Sequence, residues 1–368
     1  MFFFNNIHHE IHRELCWGID LFRRMGYAFC ISFIVAGIIA PIVIKYLKNR
    51  KMEQVFRDQN EVHILAQLHS PKAHTPTMGG IIILIAMLCG TIRVVHWNFQ
   101  VILTLISYLA LAITGFVDDF AKIRAHNTRG ISGRKKLLIQ LILTIAIALA
   151  LRHNSDYAQY CALPIPFSSS IWTISSGLLF LIFLFFVLSG TSNAVNLTDG
   201  LDGLVTKCAI PVLFFFGIVA IITGNERASA WCDCTHIPGN EELAILCASM
   251  LGGLSVFLWY NAYPASIFMG DMGSLSLGMF IGIIAFLTNH PFHLVIAGGI
   301  FVMEALSDML QVFSFKCFNK RRIFKMAPIH HHFELSGMHE AKITQRFAMV
   351  SYFLSIMAMV GLFHFFIK

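Results

Sequence analysis

An all-α integral membrane protein of about ten transmembrane helices is the fold class this sequence predicts, and three observations carry it. Of 368 residues, 57% are hydrophobic and 13% charged, whereas a soluble domain usually has about a quarter charged. Phe occurs 34 times, more often than Lys and Arg together at 27. Apolar runs long enough to cross a ~30 Å hydrocarbon core recur along the whole chain.

The runs lie near 26–47, 78–97, 99–117, 136–152, 171–190, 204–223, 243–260, 273–289, 292–314 and 345–367. The polar stretches 48–76, 118–135, 191–203, 261–272 and 315–344 then all fall on one side. With the adjoining helix ends they hold 20 Lys and Arg, and the other side, with both termini, holds seven. Positive residues are retained in the cytoplasm. Both termini of this multi-pass chain are therefore expected on the outer side and the polar stretches on the cytoplasmic side. Trp17, Trp97, Trp172 and Trp231 lie at or beyond the outer span ends, as an interfacial belt would have them. No Pro-rich or Gly/Ser-rich linker divides the chain, so residues 1–368 read as one domain.

Several alternatives are excluded at this level. The net charge of +7 sits in loops between spans, with no basic stripe interleaved with aromatics, so nucleic acid is not an expected partner. Residues 1–25 lack the clean apolar run and small-residue end of a cleavable signal. The nine cysteines are odd in number and none has zinc-ligand spacing. Cys232 and Cys234 form a lone C-x-C, too little for a disulfide framework. A transporter would need polar groups through the midplane; here they form one layer at one surface. That layer suits an enzyme working on a soluble substrate and a membrane lipid together.

Four constellations make up the layer. In the first, Asp118 and Asp119 end the third span, where the helix dipole disfavours carboxylates. They call for a cation, Mg²⁺ suiting hard oxygens, or form a solvated pair neutralised by Lys122 and Arg124. In the second, Asn196, Asp199, Gly200, Leu201 and Asp202 precede the sixth span. The two aspartates there are either helix caps or part of a ligand-binding turn. In the third, Asn261 and Phe268 precede Asp271, which lies between glycines at the start of the eighth span. In the fourth, His330, His331 and His332 occupy the last cytoplasmic loop, where imidazoles can donate to phosphates. Lys72 and Thr77 lead into the second span, and Glu304, Asp308 and Gln311 lie inside the ninth.

Taken together, TPTMGG, GFVDDF, NAVNLTDGLDGL, NAYPASIFMGDMGS and MAPIHHHFE resemble the motifs of the phospho-N-acetylmuramoyl-pentapeptide-transferase family, in order, over about residues 25–368. That family lies within the polyprenyl-phosphate sugar-1-phosphate transferases. Residues 1–24 and the loop 224–242 match none of its motifs. The resemblance implies ten helices in a bacterial inner membrane, with both termini periplasmic, a homodimer and Mg²⁺. It implies transfer of phospho-N-acetylmuramoyl-pentapeptide from its UDP-linked form to undecaprenyl phosphate, releasing UMP and forming the first lipid-linked peptidoglycan precursor. By motif, Asp118 and Asp119 match catalytic aspartates and Asp271 the principal magnesium ligand, with the pair assisting. Lys72, Asp199, Gly200, Leu201, Asp202, Asn261, Phe268 and Gln311 match positions at the uridine end. Thr77, Asn196 and the three histidines match positions near the diphosphate and sugar-peptide part. The rivals are a sibling that transfers N-acetylhexosamine-1-phosphate and, in another class, a lipid flippase or transporter.

Overall fold

In hydrocarbon each backbone N–H and C=O must find its partner within its own segment, so apolar runs of this kind fold as helices. The computed structural model describes residues 2–52, 75–125, 130–155, 157–168, 170–318 and 320–363, with side chains from residue 14 onward. The first half of the chain forms α1 (Phe2–Asn49), α2 (Gly80–Ile92), α3 (Phe99–Ala125), α4 (Gly133–Arg152) and the single turn α5 (Tyr157–Tyr160). A small antiparallel hairpin follows, β1 (Ala162–Pro164) with β2 (Ile171–Thr173), Leu163 opposite Trp172. The second half holds α6 (Gly177–Thr198), α7 (Leu204–Gly224), the short α8 (Glu226–Trp231), α9 (Glu241–Asn261) and α10 (Gly270–Leu287). It closes with α11 (Pro291–Ala297), α12 (Gly299–Cys317), α13 (Ile329–Glu334) and α14 (Glu340–Leu362).

Among the described residues seven helices are long and apolar enough to cross a membrane: α1 from Glu14, α3, α6, α7, α9, α10 and α14. Counting α11 and α12 as one broken span makes eight. The other two expected segments are helical but do not meet that measure. The 13 residues of α2 reach about 20 Å at 1.5 Å per residue, and α4 opens on Arg134, Lys135 and Lys136.

Three sequence expectations are corrected. The segment 292–314 is not one straight helix but bends by 82° at Gly298, where the Gly298-Gly299 pair gives the helix little to hold it straight. The segment expected as a span from 171 begins instead as a β-strand, and its helix starts at Gly177, capped by Ser176. That helix runs on to Thr198, so Ser192, Asn193 and Asn196 lie on its last turns rather than in a loop. Asp199 is then the C-cap of α6, and Gly203, not an aspartate, caps α7 at φ +74°.

The architecture centres on α10. Every residue from Met272 to Leu287 is buried, and α10 packs on α3, α6 and α2, while α9 packs on α1, α7 and α2. Lipid tails are as apolar as leucine, so close contact and buried hydrogen bonds must hold such helices together. Close contact is visible at Gly115 and Gly278. A Cβ on Gly115 would strike the backbone of Asp271 and Met272, and one on Gly278 would meet the Ser192 Cα at 2.6 Å. A hydrogen-bonded knot is visible where Gln140 of α4 accepts from Ser189 (2.7 Å) and Asn193 (2.9 Å) of α6. At the end of the bundle away from Asp118, the Arg24 guanidinium joins α1 to α9 by donating to both oxygens of Glu242 at 2.7 and 2.9 Å.

Replacing Gly115 by Ala should force α3 off α10. Overpacking of this kind costs about 1–3 kcal/mol, read as a lower unfolding temperature in detergent. Gly133→Ala, where a Cβ meets nothing within 4 Å, is the control and should leave that temperature unchanged.

Candidate functional site

The approach of α3 to α10 at Gly115 fixes what lies one turn further along. Asp118 and Asp119 occupy the C-terminal part of α3, and Asp271 the first turn of α10. Each offers a carboxylate oxygen, and the three oxygens lie within 4.8 Å of one another. Asp118 is fully buried and Asp119 nearly so. Adjacent residues on a helix point about 100° apart, so the two aspartates find different partners. Asp119 accepts from the Met272 N–H (3.1 Å), at the positive N-terminus of α10. Asp118 accepts from the Ile131 N–H (2.5 Å) just ahead of α4.

Two lysines stand between the carboxylates. The Lys122 ammonium lies 2.6 Å from Asp118, 3.1 Å from Asp271 and 3.9 Å from Asp119. The Lys136 ammonium lies 3.0 Å from Asp118 and 2.5 Å from Asp271. Asn196, on the last turns of α6, donates to Asp271 (3.1 Å) and to Ser274 (2.8 Å). Three carboxyl groups thus face two ammonium groups. Asp199 stands by these acids: removal from water, and then the charges of Asp271, Asp119 and Asp202, push its carboxyl up to about 8. The donor set fits a hard divalent cation, which takes carboxylate oxygens.

The remaining predicted residues are distributed around this centre. Thr77 is buried beside Gly270. Asp202 accepts from the Ala265 N–H (2.9 Å), and its own N–H donates to Glu340 (2.6 Å). Phe268 is half-buried, its backbone paired with Pro76 and Gly79. Leu201 is part of the core. Asn261 is buried and spends its amide on Thr206 (3.2 Å) and the Ile267 carbonyl (3.0 Å). Gln311 holds the backbone of Ile323 and Phe324. A cavity of about 360 Å³ lies against Thr75, Asp202, Tyr263, Glu334, His339 and Glu340. Lys72 lies outside the described residues.

The three histidines turn to three different partners. His330 meets Glu304 (3.0 Å), His331 meets Glu334 (2.7 Å), and His332 accepts from the Lys325 N–H (3.1 Å). Sequence reasoning missed Lys136, taking it only as one of the charges that set orientation. Nothing in Arg134-Lys135-Lys136 singles out the third residue until α4 is docked. Lys122 carried a signal, four and three residues after the two aspartates on one helix.

Residues 101–289 match the glycosyl transferase family 4, and residues 72–84 match the phospho-N-acetylmuramoyl-pentapeptide-transferase signature 1. The chain is similar to the phospho-N-acetylmuramoyl-pentapeptide-transferase of Thermodesulfovibrio yellowstonii, 40% identical over 353 residues that cover 94% of this chain and 95% of the relative. The proteins of that name from Rickettsia canadensis and Rickettsia bellii are each 40% identical, with 92% of both chains covered.

The raised Asp199 carboxyl has a consequence for stability. Below the ordinary aspartate value of 3.8 both folded and unfolded states hold the proton, and the favourable contribution of this group is complete. As pH rises, the unfolded chain releases its proton while the folded one keeps it, so stability falls until about pH 8. The unfolding temperature of Asp199→Asn in chelator, taken relative to the unsubstituted chain, should therefore rise from about pH 4 to about pH 8.

Proposed function

The chain belongs to the phospho-N-acetylmuramoyl-pentapeptide-transferase family, and on that premise we propose that it transfers phospho-N-acetylmuramoyl-pentapeptide from UDP-N-acetylmuramoyl-pentapeptide to undecaprenyl phosphate. UMP leaves and lipid I, the first lipid-linked peptidoglycan precursor, is formed. The observation that carries this reading is the convergence of Asp118, Asp119 and Asp271 with Lys122 and Lys136 at one end of a membrane bundle.

Phosphoryl transfer asks a protein mainly for positioning and charge neutralisation. One oxygen of the acceptor phosphate forms a bond to the sugar-linked phosphorus, and the bond from that phosphorus to the UMP oxygen breaks. A second phosphate pKa near 6 leaves the acceptor mostly ionised at neutral pH, so it needs little help from a base. Asp118 is held by two ammonium groups and a backbone N–H, an arrangement that favours a fixed charge over a nucleophile. Direct attack is thus preferred to an aspartyl-phosphate. Asp271, assisted by Asp118 and Asp119, would hold Mg²⁺, which supplies charge neutralisation on the diphosphate when bound. Lys122 and Lys136, now on the carboxylates, are placed to shift to phosphate oxygens. Asn196 keeps Asp271 oriented throughout.

The full reading adds ten spans, with α2 and α4 among them, both termini periplasmic and the carboxylates at the cytoplasmic face of the inner membrane, in a homodimer. The Lys and Arg distribution supports this orientation. In a chain freed of its nine cysteines, a cysteine at Ser336 should resist impermeant thiol reagents in whole cells, and one at Ser170 should react. The reverse pattern overturns the orientation.

Purified protein given undecaprenyl phosphate should release UMP from UDP-N-acetylmuramoyl-pentapeptide and barely from UDP-N-acetylglucosamine. Comparable release from the second sugar would move the chain to a sibling activity, and no release from either would favour a transporter. Asp271→Asn should fold normally and lose about 100-fold or more in turnover, the scale of one lost electrostatic contact in a transition state. Near-normal turnover of that variant at limiting Mg²⁺ would remove Asp271 from the metal.

A further inference from the structure

Glu304 has no place in the chemistry just described, yet it is a fully buried carboxylate inside an apolar helix. A buried charge is retained only with a partner, and its partner is His330, also fully buried, with Nδ1 3.0 Å from Oε2 of Glu304. The carboxylate accepts, so Nδ1 donates, and one tautomer and one ring orientation follow. The opposite edge of the ring carries Nε2, which has no hydrogen-bond partner among the described residues. That edge lies against Gly200, and a Cβ at Gly200 would collide with Nε2 and meet Cε1 at 2.8 Å.

The same turn of α12 also anchors the backbone on which His330 sits. The Ser307 hydroxyl donates to the Glu304 carbonyl (2.7 Å) and accepts from the Ile329 N–H (3.0 Å) at the start of α13. The turn 199–203 is therefore gripped from two sides. His330 abuts Gly200 on one side, and Glu340 and Ala265 hold Asp202 on the other. Three residues before Asp199 is Asn196, which donates to Asp271.

We propose that Glu304 is a positioning residue for the nucleotide-sugar site: it locks the His330 ring as a wedge beneath Gly200 and so sets the turn 199–203 that receives the uridine end. The inference rests on the functional reading above. His330 thereby acts through the turn rather than by touching substrate, since it has no exposed surface.

Glu304→Gln keeps the size of the side chain but can present either an oxygen or an NH₂ group to Nδ1, so the ring is no longer held in one tautomer. In UMP-release assays this variant should raise KM for the UDP-sugar by about 10-fold, the lower end for losing a partner that orients a functional histidine. KM for undecaprenyl phosphate should stay within about twofold, a split that general loosening of the fold does not produce. His330→Asn keeps a donor near Nδ1 but removes the edge against Gly200, and should show the same split. The double variant should be no worse than the poorer single one, because the two residues act as one unit. Asp308→Asn, one turn along α12, should leave both KM values alone.

An unchanged KM for the UDP-sugar in Glu304→Gln, equal rises for both substrates, or additive losses in the double variant would each overturn the inference. If Glu304→Gln does not purify folded, His330→Asn decides by the same comparison. Absence of UMP release from the unsubstituted protein would instead overturn the functional reading, and the inference with it. Release with unshifted KM values in the variants would overturn the inference alone.

Discussion

Three carboxylates with oxygens inside 4.8 Å repel one another strongly wherever water is scarce, because low dielectric magnifies every charge. The α3–α10 contact forces this arrangement. Once Gly115 lets the two helices approach to backbone contact, Asp118, Asp119 and Asp271 have nowhere else to go. The rest of the site is organised around that repulsion. Lys122 comes from the same helix, Lys136 from the start of α4, and Asn196 from the end of α6. These three side chains bring positive charge or a hydrogen-bond donor to the cluster.

The two ends of the bundle answer the problem of charge differently. Around Glu242, Arg24 donates to both carboxylate oxygens and the His96 N–H adds a third bond at 2.8 Å. That arrangement is closed, and it ties helices together. Around Asp271 the acids outnumber the ammonium groups, and Asp199 adds a carboxyl that burial and its acidic neighbours keep near neutrality. An end left short of positive charge can exchange its lysines for a cation and bound phosphates, which is what the proposed reaction asks of it.

The polar face of α12 serves a third purpose. Glu304, Ser307, Gln311 and Ser314 all bond to the segment 321–330 that follows the helix. Polar residues are expensive at this depth, and here each is matched by a partner from that one segment. The 82° bend between α11 and α12 sets the direction in which that polar face points. The bend thus reaches the site through α13.

Much of this was legible in the sequence, because it depends on local composition. Among the described residues each expected apolar segment is helical over most of its length or lies on the broken pair, since a helix is the only way to satisfy a backbone in hydrocarbon without neighbours. The acidic residues Asp118, Asp119 and Asp271 stood out as costly groups beside apolar runs. Other features escaped because they depend on partners far away in the chain. The strand at 171–173 and the break at Gly298 stand where continuous helix was expected, as hydropathy counts apolar residues and is blind to the direction of the chain. Whether Asp199 and Asp202 cap a helix or belong to a ligand-binding turn stayed open in the sequence, and α6 running on through Thr198 removes them from the start of α7. Lys136 was indistinguishable from its two basic neighbours, and the three histidines from one another, until docking gave each its own partner. Sequence by itself determined that the chain is a bundle of apolar helices of membrane type and which residue types are too costly to be idle there. Only the tertiary structure decided which of them meet, because Asp118 and Asp271 are joined by the packing of two helices and not by anything local to either.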